Sequence, residues 1–323
     1  MIGPLHPLLQ IVIAVVAVII WVALNALLLV YLERKFAGHI QRRPGPFEVG
    51  PHGILQPLID GIKLMGKQLI RPNNVDPWLY YAAPILSFLP VLLVFLPMPY
   101  SPLLTGMEVD LGLLLILAFS GINVLALMLA GWGSNNKWGL LGGARAVAQS
   151  VAYEIPLLLT VLAIAFMTGS LNLTVITNMQ GSWPWQWNII IQPLAFLIFL
   201  ISAFGETNRA PFDLPEGESE LTAGFHTEYS SMGFGLFFMA EYAYMVVICS
   251  VCAVLFLGGF RGPIADGWWW MLVKVYALLS LMIWVRWTYP RVTFAQLLNI
   301  NWKWLIPLAT LNLLATAFFL KVF

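Results

Sequence analysis

Charged residues are scarce in this sequence of 323 residues: they make up 10% of it, whereas hydrophobic residues make up 60%. Soluble domains carry roughly 25% charged residues, so this composition excludes a soluble globular protein and predicts an integral membrane protein. An excess of positive charge is also lacking, since 16 Lys and Arg oppose 15 Asp and Glu. Without a basic patch among its aromatic residues, the chain is not expected to bind nucleic acid.

Residues that hold metals or redox groups are equally few. The two cysteines, Cys249 and Cys252, are three positions apart in an apolar stretch, and the four histidines are scattered. A Cys-x-x-Cys pair can bind a metal, but no His or second cysteine pair is available to complete a site. We interpret both as small apolar side chains and expect no metal, flavin or disulfide framework in this chain. A divalent cation on the Asp-x-x-Glu spacings of residues 206–228 is the weaker alternative.

Long apolar stretches dominate what is present. About twenty apolar residues suffice to cross a bilayer as a helix, and we predict eight such spans, at about residues 8–32, 78–99, 110–133, 146–168, 189–205, 233–258, 268–288 and 303–322. The first lacks a basic leader and a small-residue cleavage site, so we expect it to be retained. No long linker interrupts the series. The prediction is an all-α polytopic membrane protein with one helical transmembrane domain, residues 1–323.

The segment between the first two spans, residues 33–77, is charged and amphipathic. Apolar residues recur there near helical spacing, at Leu55, Leu58, Ile59, Ile62 and Leu69. Charged residues occupy the other faces, at Asp60, Lys63 and Lys67. This pattern predicts a helix that lies along the membrane surface or packs on a partner.

The distribution of Lys and Arg predicts the orientation. Thirteen of the 16 lie on one side of the predicted spans, at Arg34, Lys35, Arg42, Arg43, Lys63, Lys67, Arg71, Lys137, Arg145, Arg209, Arg286, Arg291 and Lys303. Arg261 and Lys321 lie on the other side, and Lys274 lies within span 7. Because short basic loops stay inside, we expect the first side to face the cytoplasm and both termini to lie on the outer, periplasmic side.

One cytoplasmic loop, between spans 5 and 6, is acidic instead. Residues 206–228 hold six of the 15 acidic residues and a single basic one, Arg209. Pro211 and Pro215 would interrupt an ordinary helix there. The loop is either a solvated run of charge or a segment that folds back among the helices and brings carboxylates together. If residues 216–220 were helical, Glu216 and Glu220 would share a face.

Two further carboxylates lie within predicted spans. Glu154 and Glu241 are each about eight residues from the basic side, roughly 12 Å into the membrane. An ionised carboxylate there costs on the order of 3 kcal/mol, and such residues usually mark proton or ion pathways. The alternative is a structural pairing with Lys274 or Arg286, or a hydrogen bond to Tyr or Ser.

Several long motifs resemble one known family. The run ETNRAPFDLPEGESEL at 206–221 and the run GFHTEYSS at 224–231 closely resemble the membrane-embedded H subunit of respiratory complex I, NADH-quinone oxidoreductase. The similarity extends over nearly the whole chain. Further matching positions are Glu33-Arg-Lys35, Gly53-Ile-Leu-Gln-Pro57, Asp60, Lys63, Ser134-Asn-Asn-Lys137, Leu140-Leu-Gly-Gly-Ala-Arg145, Tyr153-Glu154, Ala240-Glu241-Tyr242, Arg286 and Pro290-Arg291.

The resemblance implies a membrane subunit at the heel of a quinone-reducing, proton-pumping complex of the bacterial inner membrane. It implies an enzyme subunit with quinone as substrate, with no redox centre of its own, and with peripheral quinone-site subunits, small membrane subunits and antiporter-like subunits as partners. By matching position, the proton or coupling channel would comprise Glu154, Glu206, Asp213, Glu216, Glu218, Glu220, Glu228 and Glu241. The quinone path would be bordered by Glu33, Arg34, Asp60, Arg209 and Arg286.

Some positions depart from the family pattern. Family members usually have other residues at Phe47, Gln68, Thr293 and Ala295, and these departures are expected to affect the interface with the peripheral arm and the electron donor. Gly121 replaces a glutamate that some members carry in span 3, which would thin the channel. Two alternatives remain open from the sequence: the equivalent subunit of a membrane-bound hydrogenase or formate hydrogenlyase, without a quinone tunnel, and a self-contained secondary transporter. The second is disfavoured because no two related halves are visible.

Overall fold

The computed structural model describes residues 7–102 and 104–322, and its regular secondary structure is almost entirely helical. A two-stranded antiparallel hairpin is formed by β1 and β2, at Pro99–Ser101 and Leu104–Thr105. The helices are α1 Pro7–Ile40, α2 Gln56–Gly66, α3 Pro77–Val94, α4 Gly112–Gly133, α5 Lys137–Thr168, α6 Leu173–Met179, α7 Asn188–Ile191, α8 Pro193–Glu206, α9 Glu218–Leu221, α10 Ser231–Phe256, α11 Trp268–Thr288, α12 Phe294–Ile300 and α13 Ile306–Val322. The all-α polytopic fold predicted from the sequence is confirmed.

Seven helical segments among the described residues are long and apolar enough to cross a membrane, and α8 is a shorter apolar helix. The predicted fifth span, 189–205, is divided between α7 and α8. Gln192 between them has a non-helical backbone, with φ −127° and ψ 57°. The cause is Pro193, which has no N–H to donate and disfavours a helical conformation in the residue before it.

The first span is longer than the prediction of 8–32. Helix α1 continues to Ile40, so Glu33 and Arg34 lie on the helix itself and not in the connection that follows it. The predicted amphipathic helix is α2, which ends where Lys67 adopts an extended conformation. Its apolar residues Leu58 and Ile62 are exposed.

Helix α5 begins nine residues before the predicted start of span 4, because Asn136 caps it by accepting a hydrogen bond from the Trp138 N–H at 3.0 Å. Glu154 therefore lies about 25 Å along the axis from Lys137, at 1.5 Å per residue. Glu241 lies only about 15 Å along α10 from Ser231. The two carboxylates are not equally far from their helix starts, contrary to the prediction.

The predicted last span, 303–322, is the second part of a longer helix. Helices α12 and α13 are joined by a π-helical turn, Asn301–Leu305. The buried Asn301 side chain donates to the Ala152 carbonyl of α5 at 2.5 Å. Such turns occur frequently near functional sites, and this one packs on α5 two residues from Glu154.

Helix α10 lies at the centre of the bundle, and 83% of the residues in its most apolar stretch are buried. The connections at one end of the bundle are bonded to one another. Asp76 N–H donates to Gly133 O, and Val292 N–H donates to Pro211 O. We call this the basic end, because residues 41–76, 134–136, 207–230 and 289–293 lie there together with the basic residues of the adjoining helix ends.

Candidate functional site

The acidic loop between α8 and α10 folds back among the helices. Its first residues, Thr207, Asn208 and Arg209, are 3–8% exposed. The fully buried Gln149 of α5 holds the loop, because its Nε2 lies within hydrogen-bonding distance of Gly205 O, Asn208 Oδ1 and Phe212 O, at 2.7–3.0 Å. A charged segment is thereby fixed inside the bundle, and the interpretation of the whole loop as a solvated charge run is wrong.

Arg209 lies between two carboxylates from different helices. Its guanidinium nitrogens are 3.8 Å from Glu33 Oε2 of α1 and 3.6 Å from Glu241 Oε2 of α10. Both distances exceed a normal hydrogen bond, so the contacts are electrostatic. The guanidinium also lies 4.3 Å from the ring centroid of Tyr242, a favourable cation–π geometry. Arg209 is 5% exposed.

The Glu33 carboxylate contacts one hydroxyl group and two guanidinium groups. The Tyr242 hydroxyl donates to its Oε2 at 2.6 Å, and Arg286 of α11 pairs with its Oε1. Three of the five residues predicted to border a quinone path, Glu33, Arg209 and Arg286, thus meet in one cluster. The alternative that Arg286 neutralises Glu241 is wrong, because Arg286 pairs with Glu33 and the ion-pair partner of Glu241 is Arg209.

Two carboxylates of the acidic loop, Glu216 and Asp213, lie near Glu241. Glu216 lies within hydrogen-bonding reach of Glu241. Asp213 lies near Glu216 and pairs with Arg291, with Nη2 and Oδ2 3.0 Å apart. Burial and the neighbouring Glu216 raise the pKa of Asp213 above its ordinary value, against the opposing effect of Arg291.

Glu241 also has a neighbour in Glu206, which in turn lies near Glu154. A small cavity of about 10 Å³, room for roughly one water molecule, is lined by both Glu206 and Glu241. Tyr244 also lines it and donates to Glu206 Oε1 at 3.3 Å. Glu154, half-buried on α5, lies within electrostatic range of Glu206. Asp213, Glu216, Glu241, Glu206 and Glu154 therefore form a series of neighbouring carboxylates, which we call the carboxylate series.

Other predicted site residues lie outside this series. Glu220 is half exposed and forms a surface ion pair with Arg145 at 2.6 Å. Glu228 accepts a hydrogen bond from Asn136 at 2.6 Å, at the start of α5. Helix α9 begins at Glu218, after Gly217 with φ +39°, so the helix over 216–220 that would align Glu216 with Glu220 does not form. The side chain of Glu218 lies outside the described part of the chain.

Arg34 and Asp60 form a separate ion pair at 2.5 Å that ties α1 to α2. Burial opposes ionisation of Asp60, but hydrogen bonds from Arg34 and Gln56 outweigh it and lower the pKa of Asp60. Although adjacent in sequence, Glu33 is buried whereas the Arg34 side chain is 43% exposed. The two predicted quinone-path residues Arg34 and Asp60 therefore lie at the surface, next to the buried cluster.

Lys274, considered in the sequence as a partner for the buried acids, lies far from them. Its ammonium donates to Gly259 O at 2.9 Å and Arg261 O at 2.6 Å, and it lies 4.1 Å from the ring centroid of Trp187. These residues are at the end of the bundle opposite the basic end. Lys274 thus anchors a loop and neutralises neither Glu154 nor Glu241 in this structure.

Sequence reasoning did not assign a role to Tyr242, Tyr244, Arg291 or Gln149. Tyr242 and Tyr244 follow Glu241 by one and three residues in the same apolar helix. A tyrosine close in sequence to a carboxylate within a predicted span was the signal that could have identified these two residues. Gln149 gave none, because its acceptors are 56–63 residues away in sequence.

The structure shows the surroundings of two residues that depart from the family pattern, Thr293 and Gly121. Thr293 forms a capping box with Gln296 at the start of α12, a local stabilisation of that helix. A Cβ added to Gly121 would meet nothing within 4 Å. Among the described residues, no three His, Cys, Asp or Glu side chains are grouped so as to hold a metal ion.

Known proteins resemble this chain over nearly its whole length. The chain matches the family model described as NADH dehydrogenase over residues 13–317. It is 49% identical to the H subunit of NADH-quinone oxidoreductase from Desulfotalea psychrophila, over 98% of each chain. It is 43% identical to the H subunit from Dehalococcoides mccartyi, over 92% of this chain and 83% of the relative. It is 41% identical to the H subunit from Carboxydothermus hydrogenoformans, over 96% of this chain and 89% of the relative.

Proposed function

The chain belongs to the NADH dehydrogenase family as an H subunit of the complex I type, an integral membrane component of an NADH-quinone oxidoreductase, and on that premise we propose how its charged interior serves the complex. Glu33, Arg209 and Arg286, with Arg34 and Asp60 at the surface, border the path of the quinone. The carboxylate series passes the effect of quinone reduction, as protons or as shifted charge, through the bundle toward antiporter-like subunits.

The observation that supports this proposal best is the position of Arg209. It lies at nearly equal distances from Glu33, on the quinone side, and Glu241, in the carboxylate series. At about 4 Å, two unit charges interact by about 4 kcal/mol at an effective dielectric constant of 20. A change of charge on either acid therefore draws the guanidinium toward the other.

Protons would move along the series by way of side chains that can exchange them. Glu216 and Glu241 lie within hydrogen-bonding reach, so a proton can pass between them directly. Between Glu241 and Glu206 the step would use the water-sized cavity that both residues line. Tyr244, which lines the same cavity, donates a hydrogen bond to Glu206. Glu218, Glu220 and Glu228 remain sequence predictions and are not needed for this route.

The charge pattern supports a topology for this membrane protein. We propose that the basic end faces the bacterial cytoplasm, where peripheral quinone-site subunits would dock, and that both termini lie on the periplasmic side. Small membrane subunits and antiporter-like subunits would pack along the helices. The relatives reported above include quinone in their names, which favours this proposal over the hydrogenase-type alternative.

The test is Glu241→Gln in the intact complex, measured in inverted membrane vesicles. We expect NADH-driven quinone reduction and proton uptake to fall at least tenfold together, because the neutral amide can neither attract Arg209 nor relay a proton. NADH oxidation by an artificial acceptor reports assembly and should be unchanged. Glu48→Gln, an exposed acid on the connection after α1, is the matched control. Wild-type quinone reduction in the assembled Glu241→Gln complex would disprove the role of this residue.

A further inference from the structure

A groove on the outer surface of the bundle combines apolar walls with basic side chains. It lies between the last turns of α1 and of α11 at the basic end, with a volume of about 420 Å³. Its lining residues are Leu32, Lys35, Phe36, His39, Ile40 and Trp284. None of them belongs to the cluster around Arg209 or to the carboxylate series.

Lys35 and His39 are the two basic residues that line the groove. Among the described residues, no carboxylate lies within ion-pair distance of Lys35 or His39. The nearby acid in sequence, Glu33, is buried and engaged by Arg286. The Lys35 ammonium lies 5.8 Å from the Tyr31 ring centroid and 5.9 Å from that of Phe47. Aromatic faces hold a cation in place without cancelling its charge.

The groove lies at the depth of lipid head groups. Helix α1 has 34 residues and is about 51 Å long, whereas the hydrocarbon core of a bilayer is about 30 Å thick. Its last turns, with Lys35 and His39, therefore extend beyond the hydrocarbon. Trp284 is 58% exposed in the last turns of α11, a position typical of tryptophans at the membrane interface.

We propose that this groove binds one anionic phospholipid from the leaflet at the basic end. Its phosphate lies at Lys35 and His39, and its acyl chains pack on Leu32, Phe36 and Trp284. Basic pockets between transmembrane helices commonly bind anionic head groups in this way. Free phosphate would leave the four apolar lining residues uncovered, and a neutral quinone would leave the Lys35 ammonium without a counter-charge.

The site is tested by photocrosslinking in the intact complex, reconstituted in nanodiscs. Two probes are compared, a phosphatidylglycerol and a phosphatidylcholine with the same photoreactive acyl chain, and labelled peptides are identified by mass spectrometry. We expect the anionic probe to label residues 32–40 and the peptide around Trp284 at least fivefold more than the zwitterionic probe. In Lys35→Gln/His39→Gln, labelling by the anionic probe should fall to the level of the zwitterionic one.

Lys63→Gln is the matched control, because Lys63 is an exposed lysine at the same end of the bundle that does not line the groove. It should keep the preference for the anionic probe. Equal labelling by the two probes, or an unchanged preference in the double variant, would overturn the proposal. So would loss of labelling on addition of excess quinone, or crosslinking of residues 32–40 to another protein of the complex instead of lipid. These outcomes do not depend on the rate of quinone reduction, so the lipid site can fail while the proposed coupling role stands.

Discussion

Replacing Arg209 by Gln removes the cation that lies between Glu33 and Glu241. At their separations, each pair is worth about 4 kcal/mol at an effective dielectric constant of 20. Removing one partner of a buried ion pair usually costs about 3–5 kcal/mol. Glu33 keeps Arg286, but Glu241 loses its ion-pair partner among the described residues and relieves the cost by taking up a proton.

The expected loss of rate depends on how much of this energy is added to the activation barrier of coupled turnover. If about 1.4 kcal/mol, a third of the Coulomb energy of one pair, raises the barrier to coupled turnover, the rate falls tenfold. We therefore expect at least a tenfold loss of NADH-driven quinone reduction in Arg209→Gln. Arg209→Lys keeps the charge but reaches only one carboxylate well, so its loss should be smaller.

The assay is quinone reduction in membranes that contain the assembled complex, with NADH oxidation by an artificial acceptor as the measure of assembly. Arg145→Gln is the control, because it removes an equal charge from an ion pair at the same end of the bundle, where Glu220 is half exposed. Exposed pairs contribute about 0–1 kcal/mol, so this variant should lose little activity. Full activity of assembled Arg209→Gln, or equal losses in Arg209→Gln and Arg145→Gln, would refute the reasoning.

Three further outcomes follow from the site. Glu216→Gln should lower proton uptake at least tenfold and Glu220→Gln less than twofold, because Glu216 lies within reach of Glu241 whereas Glu220 is paired with Arg145 at the surface. The reverse order in vesicle measurements would assign the function to the surface acids. Tyr242→Phe removes the hydrogen bond to the charged Glu33, which contributes about 1.5–3 kcal/mol, and should slow quinone reduction more than tenfold. Tyr81→Phe is the exposed control. Equal rates in the two variants would argue against a role for the Tyr242 hydroxyl. Because the folded state raises the pKa of Asp213, the acidic loop should lose hydrogen-exchange protection as the pH rises through that pKa. The Asp213→Asn variant should lack this part of the pH dependence, and an unchanged profile would contradict the assignment.

The spans and the chemistry of the loop were predictable from local features. Apolar runs, prolines and the imbalance of Lys and Arg depend on neighbouring residues, so the all-α membrane fold and the amphipathic helix α2 could be predicted. Helix ends were less accurate. Helix α1 extends eight residues beyond its predicted end and α5 starts nine residues before its predicted start, because a helix continues through polar residues where caps and contacts support it.

By itself, the sequence determined which residues could ionise inside the membrane and that six acids share one loop. Only the tertiary structure decided which of them meet. Glu33 and Glu241 are 208 positions apart and share Arg209, whereas Glu220, only four positions from Glu216, lies at the surface. The reason is physical: the cost of burying a charge is a local property of the residue, but the partner that offsets it is supplied by whichever helix packs alongside.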